Sequence, residues 1–144
     1  NTLIKKIFPI SLSTYCVPSI YGRFIFNANI PLIYSNIIGG EGYSLDFEQQ
    51  IPFSGLIHTE NVNNVLGGMQ IKFQHTIHKK QHLTLAGNYA ISEHHFSNCF
   101  HGKPIYGISV GYGYESPLGP IEGFLSYSNK TKDLGFYLNI GFGF

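Results

Sequence analysis

Apolar and polar residues alternate with period two along most of the chain, and the 3.6-residue period of an amphipathic helix is almost absent. The segment Asp133–Phe144 shows the pattern best: Leu134, Phe136, Leu138, Ile140, Phe142 and Phe144 share one face, and Gly135, Tyr137, Asn139, Gly141 and Gly143 share the other. One face is wholly apolar over a length sufficient for a tilted strand to cross a bilayer, and the opposite face is small or polar. The same reading applies upstream. Tyr43, Leu45, Phe47 and Ile51 oppose Ser44, Asp46, Glu48 and Gln50; Met69, Ile71, Phe73 and Ile77 oppose Gly68, Gln70, Lys72, Gln74 and Thr76. Leu83, Leu85, Tyr89 and Ile91 oppose Thr84, Ala86, Asn88 and Ala90, and Tyr106, Ile108, Val110, Tyr112 and Tyr114 oppose Gly107, Ser109, Gly111 and Gly113. Residues 22–30 alternate less cleanly. In 121–128 the apolar Phe124 shares a face with Glu122 and Ser126.

These segments predict seven strands, with Ile10–Val17 as a candidate eighth. Turn residues separate them: Gly39-Gly40 with Gly42, Lys79-Lys80, Ser116-Pro117-Leu118-Gly119-Pro120, and Asn129 to Lys132. The connections near Phe53–Asn64 and Ser92–Lys103 are longer. Alternating short turns and long loops is the asymmetry of outer-membrane barrels. A soluble β-sandwich or ligand-binding barrel also alternates, but its outward polar faces carry many Lys and Glu. Here the polar faces are mostly Gly, Ser, Asn, Gln and Thr.

Composition sharpens the choice. Charged residues are 12% of the chain while aromatics reach 15%, all of them Phe or Tyr, alongside 17 glycines. Few charges with abundant Tyr, Phe and Gly suit a sheet with one face in lipid. No stretch reaches the roughly 18 to 20 apolar residues of a membrane helix. The net charge of +1, with basic residues clustered only in pairs such as Lys5-Lys6 and Lys79-Lys80, excludes a nucleic-acid-binding face. Cys16 and Cys99 are expected as free thiols rather than a disulfide. A start at Asn1 rather than Met is expected of a processed protein or an excised fragment.

Two stretches carry a resemblance. The run from Tyr112 to Glu122, containing Ser116-Pro117-Leu118-Gly119-Pro120, resembles the penultimate hairpin of the bacterial surface antigen superfamily, which includes barrel assembly factors and two-partner secretion transporters. The closing Gly135–Phe144 resembles that superfamily's last strand, ending in an aromatic as its barrel-assembly signal does. From Tyr21 to Phe144 the strand order is similar to the C-terminal membrane domain of bacterial patatin-like phospholipases. The resemblance implies an outer-membrane barrel that anchors or helps export an N-terminal domain. It also implies an assembly signal at Phe136, Leu138, Ile140, Phe142 and Phe144. The Ser-Asp dyad domain of that family is not in this sequence, so its lipase activity is not implied. The turn has its own physical logic: Pro117 and Pro120 lack donors and bracket the strand ends, and Gly119 tolerates a positive φ.

Candidate chemistry is sparse. Gly107-Ile108-Ser109-Val110-Gly111 fits the nucleophile-elbow pattern, but that chemistry needs a strand-to-helix turn, and Ser109 lies inside an alternating strand. His75, His78 and His82 flank one hairpin turn, and His94-His95 are adjacent in a loop. Adjacent histidines on an extended chain diverge, so no metal ligand set is nominated. Arg23, Asp46, Glu48 and Lys72 fall on inward faces, where salt-bridged lumen residues are ordinary.

The sequence thus predicts an all-β fold: a transmembrane antiparallel β-barrel of about seven or eight strands, closed by itself or part of a larger or multi-chain barrel. Residues 1–18 are an N-terminal segment with an extra strand, and 19–144 the barrel. The expected role is non-enzymatic, in the bacterial outer membrane, without a cofactor. The expected partners are the lipid bilayer, the barrel-assembly machinery, and a second copy or another membrane-protein subunit. A small pore, a membrane-embedded hydrolase acting through Ser109 and a soluble ligand-binding barrel are the alternatives.

Overall fold

The computed structural model of the chain describes residues 2–25, 31, 34–40, 50–56, 58–93, 104–117 and 119–141. Alternation becomes an antiparallel sheet built from β1 (Thr2–Lys5), β2 (Phe8–Ser11), β3 (Thr14–Phe24), β7 (Val65–His78), β8 (Gln81–Glu93), β9 (Ile105–Ser116), β10 (Gly119–Ser128) and β11 (Leu134–Ile140). The spatial order is β1-β3-β7-β8-β9-β10-β11, with β2 also beside β3. β1 and β2 pair with the two halves of β3, at 19–22 and 14–16, and so act as one interrupted strand along that edge. From β3 to β10 the wall strands have 10 to 14 residues, the length a tilted crossing of about 9 to 11 residues demands. Among the described residues, β11 and the β1/β2 edge do not pair with each other. Nor is any helix long and apolar enough to cross a membrane.

The register makes the sheet's outer surface continuous. Phe8, Cys16, Phe73, Leu85, Val110, Leu125 and Phe136 line up on successive strands. All but Cys16 in this row stand 40% or more exposed, an apolar surface uncovered among the described residues. Tyr89, Tyr106 and Tyr127 sit towards one end of this face and Tyr112 and Tyr114 towards the other. Tyr106 and Tyr114 are eight positions apart on β9, or about 26 Å along an extended strand. An apolar band between two tyrosine belts is the exterior of a membrane barrel.

Ends are asymmetric. Two-residue turns at Leu12-Ser13 and Lys79-Lys80 and the short connection from Ser116 to Gly119 gather at one end, where β11 also finishes beside Ile121. The strand ends that bound 25–64 and 94–104, and the turn after Ser128, lie at the other. Three expectations need revision. A turn at Leu12-Ser13 interrupts the segment Ile10–Val17, because Ser11 and Thr14 close a hairpin through their hydroxyls at 3.1 Å. The strand expected over 22–30 begins earlier, as the end of β3, and its 26–30 portion lies outside the described residues. Gln50-Ile51, expected in the wall, instead forms β5 in a separate small sheet; 43–49 lie outside the described residues.

That small sheet, β5-β4-β6, comprises β4 (Asn36–Ile38), β5 (Gln50–Ile51) and β6 (Glu60–Val62), with β5 parallel and β6 antiparallel to β4. Ile38, Ile51, Phe53 and Leu56 pack with Tyr21, Leu66 and Ala90 of the wall. This cluster on the concave side is the chain's hydrophobic core, whereas the large apolar residues of the convex side face outward.

Candidate functional site

The concave face is where the chain's polar residues meet. Successive inward positions of β9 are Gly107, Ser109, Gly111 and Gly113, all buried. Their small size creates a track, and other parts of the chain fill it. Phe53 and the carbonyl of Ser54 lie over Gly107, where a Cβ would collide. Ser109 Oγ donates to Ser54 Oγ at 3.0 Å. Gly55, at φ +89°, approaches the Tyr127 carbonyl and Ser128 amide of β10 so closely that no side chain fits. The aromatic ring of Phe124 covers Gly111, which explains how an apolar residue shares a face with Glu122 and Ser126.

Further bonds hold the inserted segment in place. Asn36 Nδ2 donates to the carbonyls of Asn63 and Asn64 at 2.7 and 3.0 Å, and Gln50 Nε2 to that of Gly39 at 2.9 Å. The Asn63 amide donates to Ser92 Oγ at 2.9 Å, and Lys130 pairs with Glu60. Arg23, expected on an inward face, caps the carbonyls of Tyr34 and Ser35 at the entrance to the segment. The described parts of the segment between β3 and β7 therefore fold back against the concave wall at the long-loop end.

Nearer the short-turn end, His82 Nε2 lies 3.0 Å from Glu122 Oε1, bridging β8 and β10 across Gly113. The imidazole occupies the space that a side chain at 113 would fill. Lys72 of β7 is electrostatically coupled to the same carboxylate. Both members of the pair are largely buried, so removing the carboxylate takes from His82 its partner across the sheet. Glu122→Ala is expected to lower the stability of the folded protein by about 1–3 kcal/mol, with Glu122→Gln milder because the amide still offers a partner. Thermal unfolding in detergent measures both; equal, negligible losses would mean that the contact is structurally idle.

The other sequence candidates are dispersed. Ser109 has a serine partner rather than a base and lies within a continuous β-ladder, so the nucleophile geometry is lacking. His75 points to the outer face and bonds Thr14 Oγ1 at 2.8 Å, while His82 points inward and His78 Nδ1 bonds its neighbour's carbonyl. Among the described residues no group of three His, Cys, Asp or Glu side chains gathers as a metal set. His94, His95, Asp46, Glu48 and Cys99 lie outside the described residues; Cys16 is a free thiol. Pairing runs unbroken through Gly67-Gly68, so these glycines do not kink β7; Gly68 makes room for the Tyr21 ring. The His82–Glu122 pair escaped sequence reasoning because its members are 40 positions apart.

The Ser116–Pro120 stretch forms the β9–β10 turn: Gly119 takes φ +111°, and Ser116 Oγ donates to the Gly119 carbonyl at 2.6 Å. Phe136, Leu138 and Ile140 stand on the exposed face of β11; Leu118, Phe142 and Phe144 lie outside the described residues.

Comparison with known proteins places these features in a family. The model of the OMP85 superfamily matches residues 20–144. No curated protein and no solved structure matches. The match runs from within β3 through β11, across the wall and the inserted segment alike. The chain therefore belongs to the OMP85 superfamily, and it is an outer-membrane β-barrel protein in type.

Proposed function

We propose that the chain is a non-enzymatic membrane unit that anchors, or helps export, a partner or an N-terminal domain, in the manner of the membrane domain of patatin-like phospholipases. The observation that carries this reading is the division of the sheet: an apolar outer band between tyrosine belts, and a polar concave face already occupied by the chain's own segment. The Ser116–Pro120 turn and the closing strand support the patatin-like assignment. In this reading residues 19–144 are the barrel unit and 1–18 add a strand to it. Phe136, Leu138, Ile140, Phe142 and Phe144 form the signal read by the barrel-assembly machinery.

Hydrocarbon offers no hydrogen-bond partners to an open strand edge, so a sheet in the bilayer must close. In this reading β11 and the β1/β2 edge, which do not pair with each other among the described residues, meet further strands of a larger or multi-chain barrel. On a cold gel, the detergent-folded chain should run unboiled at twice its mass or more and collapse to one chain on boiling. A boiling-sensitive band near the mass of one chain would replace the shared barrel with a self-closed one. Good solubility in plain buffer, without any shift, would overturn the membrane assignment. The concave packing of 50–56 counts against an open pore, and planar-bilayer recordings should show almost no conductance.

A further inference from the structure

The short β7–β8 hairpin holds a feature that closing a sheet does not require. Between Thr76 and His78 the register of β7 against β8 slips. An open cleft of about 780 Å³ lies at this hairpin, lined by Thr76, Ile77, His78, Lys79, Lys80 and Gln81, with Tyr114 from β9. Its walls are of two kinds. Ile77 and Tyr114, 44% and 37% exposed, continue the outer apolar band to its edge. Lys79 and Lys80 are exposed at the tip, and the Lys80 carbonyl accepts a bond from the Glu115 amide at 2.8 Å, which fixes the turn against β9. His78 Nδ1 is engaged with the Ile77 carbonyl at 2.8 Å. Glu115 is the neighbouring acid, but strand alternation sets it opposite Tyr114, away from the apolar band.

We propose that this cleft binds the headgroup of an anionic glycerophospholipid. It stands at the boundary between hydrocarbon and water, and the two ammonium groups complement the phosphate. Ile77 and the Tyr114 ring meet the glycerol and first acyl carbons. Short turns face the periplasmic side of an outer-membrane barrel, so the ligand comes from that leaflet. The inference rests on the membrane reading given above. A Lys near a membrane surface favours anionic lipid by roughly fivefold, and two on one turn should act together.

Native mass spectrometry of the detergent-folded chain, offered equimolar phosphatidylglycerol and phosphatidylcholine, tests this. The wild type should retain phosphatidylglycerol in preference by roughly tenfold or more. Lys79→Gln with Lys80→Gln should abolish the preference, Lys79→Arg with Lys80→Arg should keep it, and Lys132→Gln at the opposite end should leave it intact. No preference in the wild type, or equal loss in Lys132→Gln, would overturn the site, as would full retention in the double glutamine variant. Displacement of the lipid by inorganic phosphate alone would overturn it in favour of a simple anion site. A cold gel on the same samples separates a failed membrane fold from a failed lipid site.

Discussion

Arginine in place of Val110 is expected to lower the free energy of folding into phospholipid vesicles by about 2–4 kcal/mol, the cost of a cationic side chain on the lipid face near mid-bilayer. Val110 is 48% exposed and sits in the middle of the apolar row, between Leu85 and Leu125 on the adjacent strands. Among the described residues nothing covers this face, as expected of a surface that meets lipid. Were the sheet part of a soluble barrel, the same position would be solvated surface, and the arginine would change stability by no more than about 0.5 kcal/mol. The neighbouring Ser109→Ala supplies the contrast, because it removes only the hydroxyl bond to Ser54 and should cost about 1 kcal/mol. The folded fraction, read as the unboiled band across a urea series, distinguishes the two cases. A tolerated arginine at 110 would refute the lipid-facing assignment of the convex surface.

Valine at Gly55 is the second substitution of large effect. The position combines a φ of +89°, which a β-branched residue tolerates poorly, with backbone contact to Tyr127 and Ser128. Strain and overpacking each cost about 1–3 kcal/mol. Together they exceed the small gain from burying an isopropyl group, so the segment 50–56 should lift off the wall. That exposes Phe53 and Leu56, now fully buried, and frees Ser109. Limited proteolysis of the folded protein should then cut within 50–60 at a rate the wild type does not show, while the strand wall stays protected. Gly67→Ala and Gly87→Ala test the reasoning from the other side: a Cβ there meets nothing within 4 Å, and alanine should be neutral or slightly stabilising. Equal protease resistance in Gly55→Val would mean that the segment is not held by this approach.

The two substitutions probe the two faces of one sheet, and the faces differ in how legible they were. Period-two alternation assigned the outward residues of β7, β8, β9 and β11 directly, because a strand's side-chain period is set by backbone geometry alone. The turns at Lys79-Lys80 and Ser116–Pro120 were legible for a related reason: donor loss at proline and positive φ at glycine are local properties. The low charge and the tyrosines showed which face meets lipid, since that preference belongs to each side chain wherever the strand is placed.

Tertiary structure alone decided the rest. Nothing local marks Ile38, Ile51, Phe53 and Leu56 as a core: in sequence they resemble strand or loop residues, and their burial depends on the glycine track of β9 being beside them. The division of 2–11 into β1 and β2, and the hairpin through Leu12-Ser13, follow from pairing with β3 rather than from a break in hydrophobicity. His82 and Glu122 come together only because β8, β9 and β10 are adjacent and Gly113 leaves space between them. The sequence by itself therefore determined the outward side of β7, β8, β9 and β11 and the turns at Lys79-Lys80 and Ser116–Pro120. What fills the concave side required the packed sheet, because contacts between distant segments depend on strand order and register.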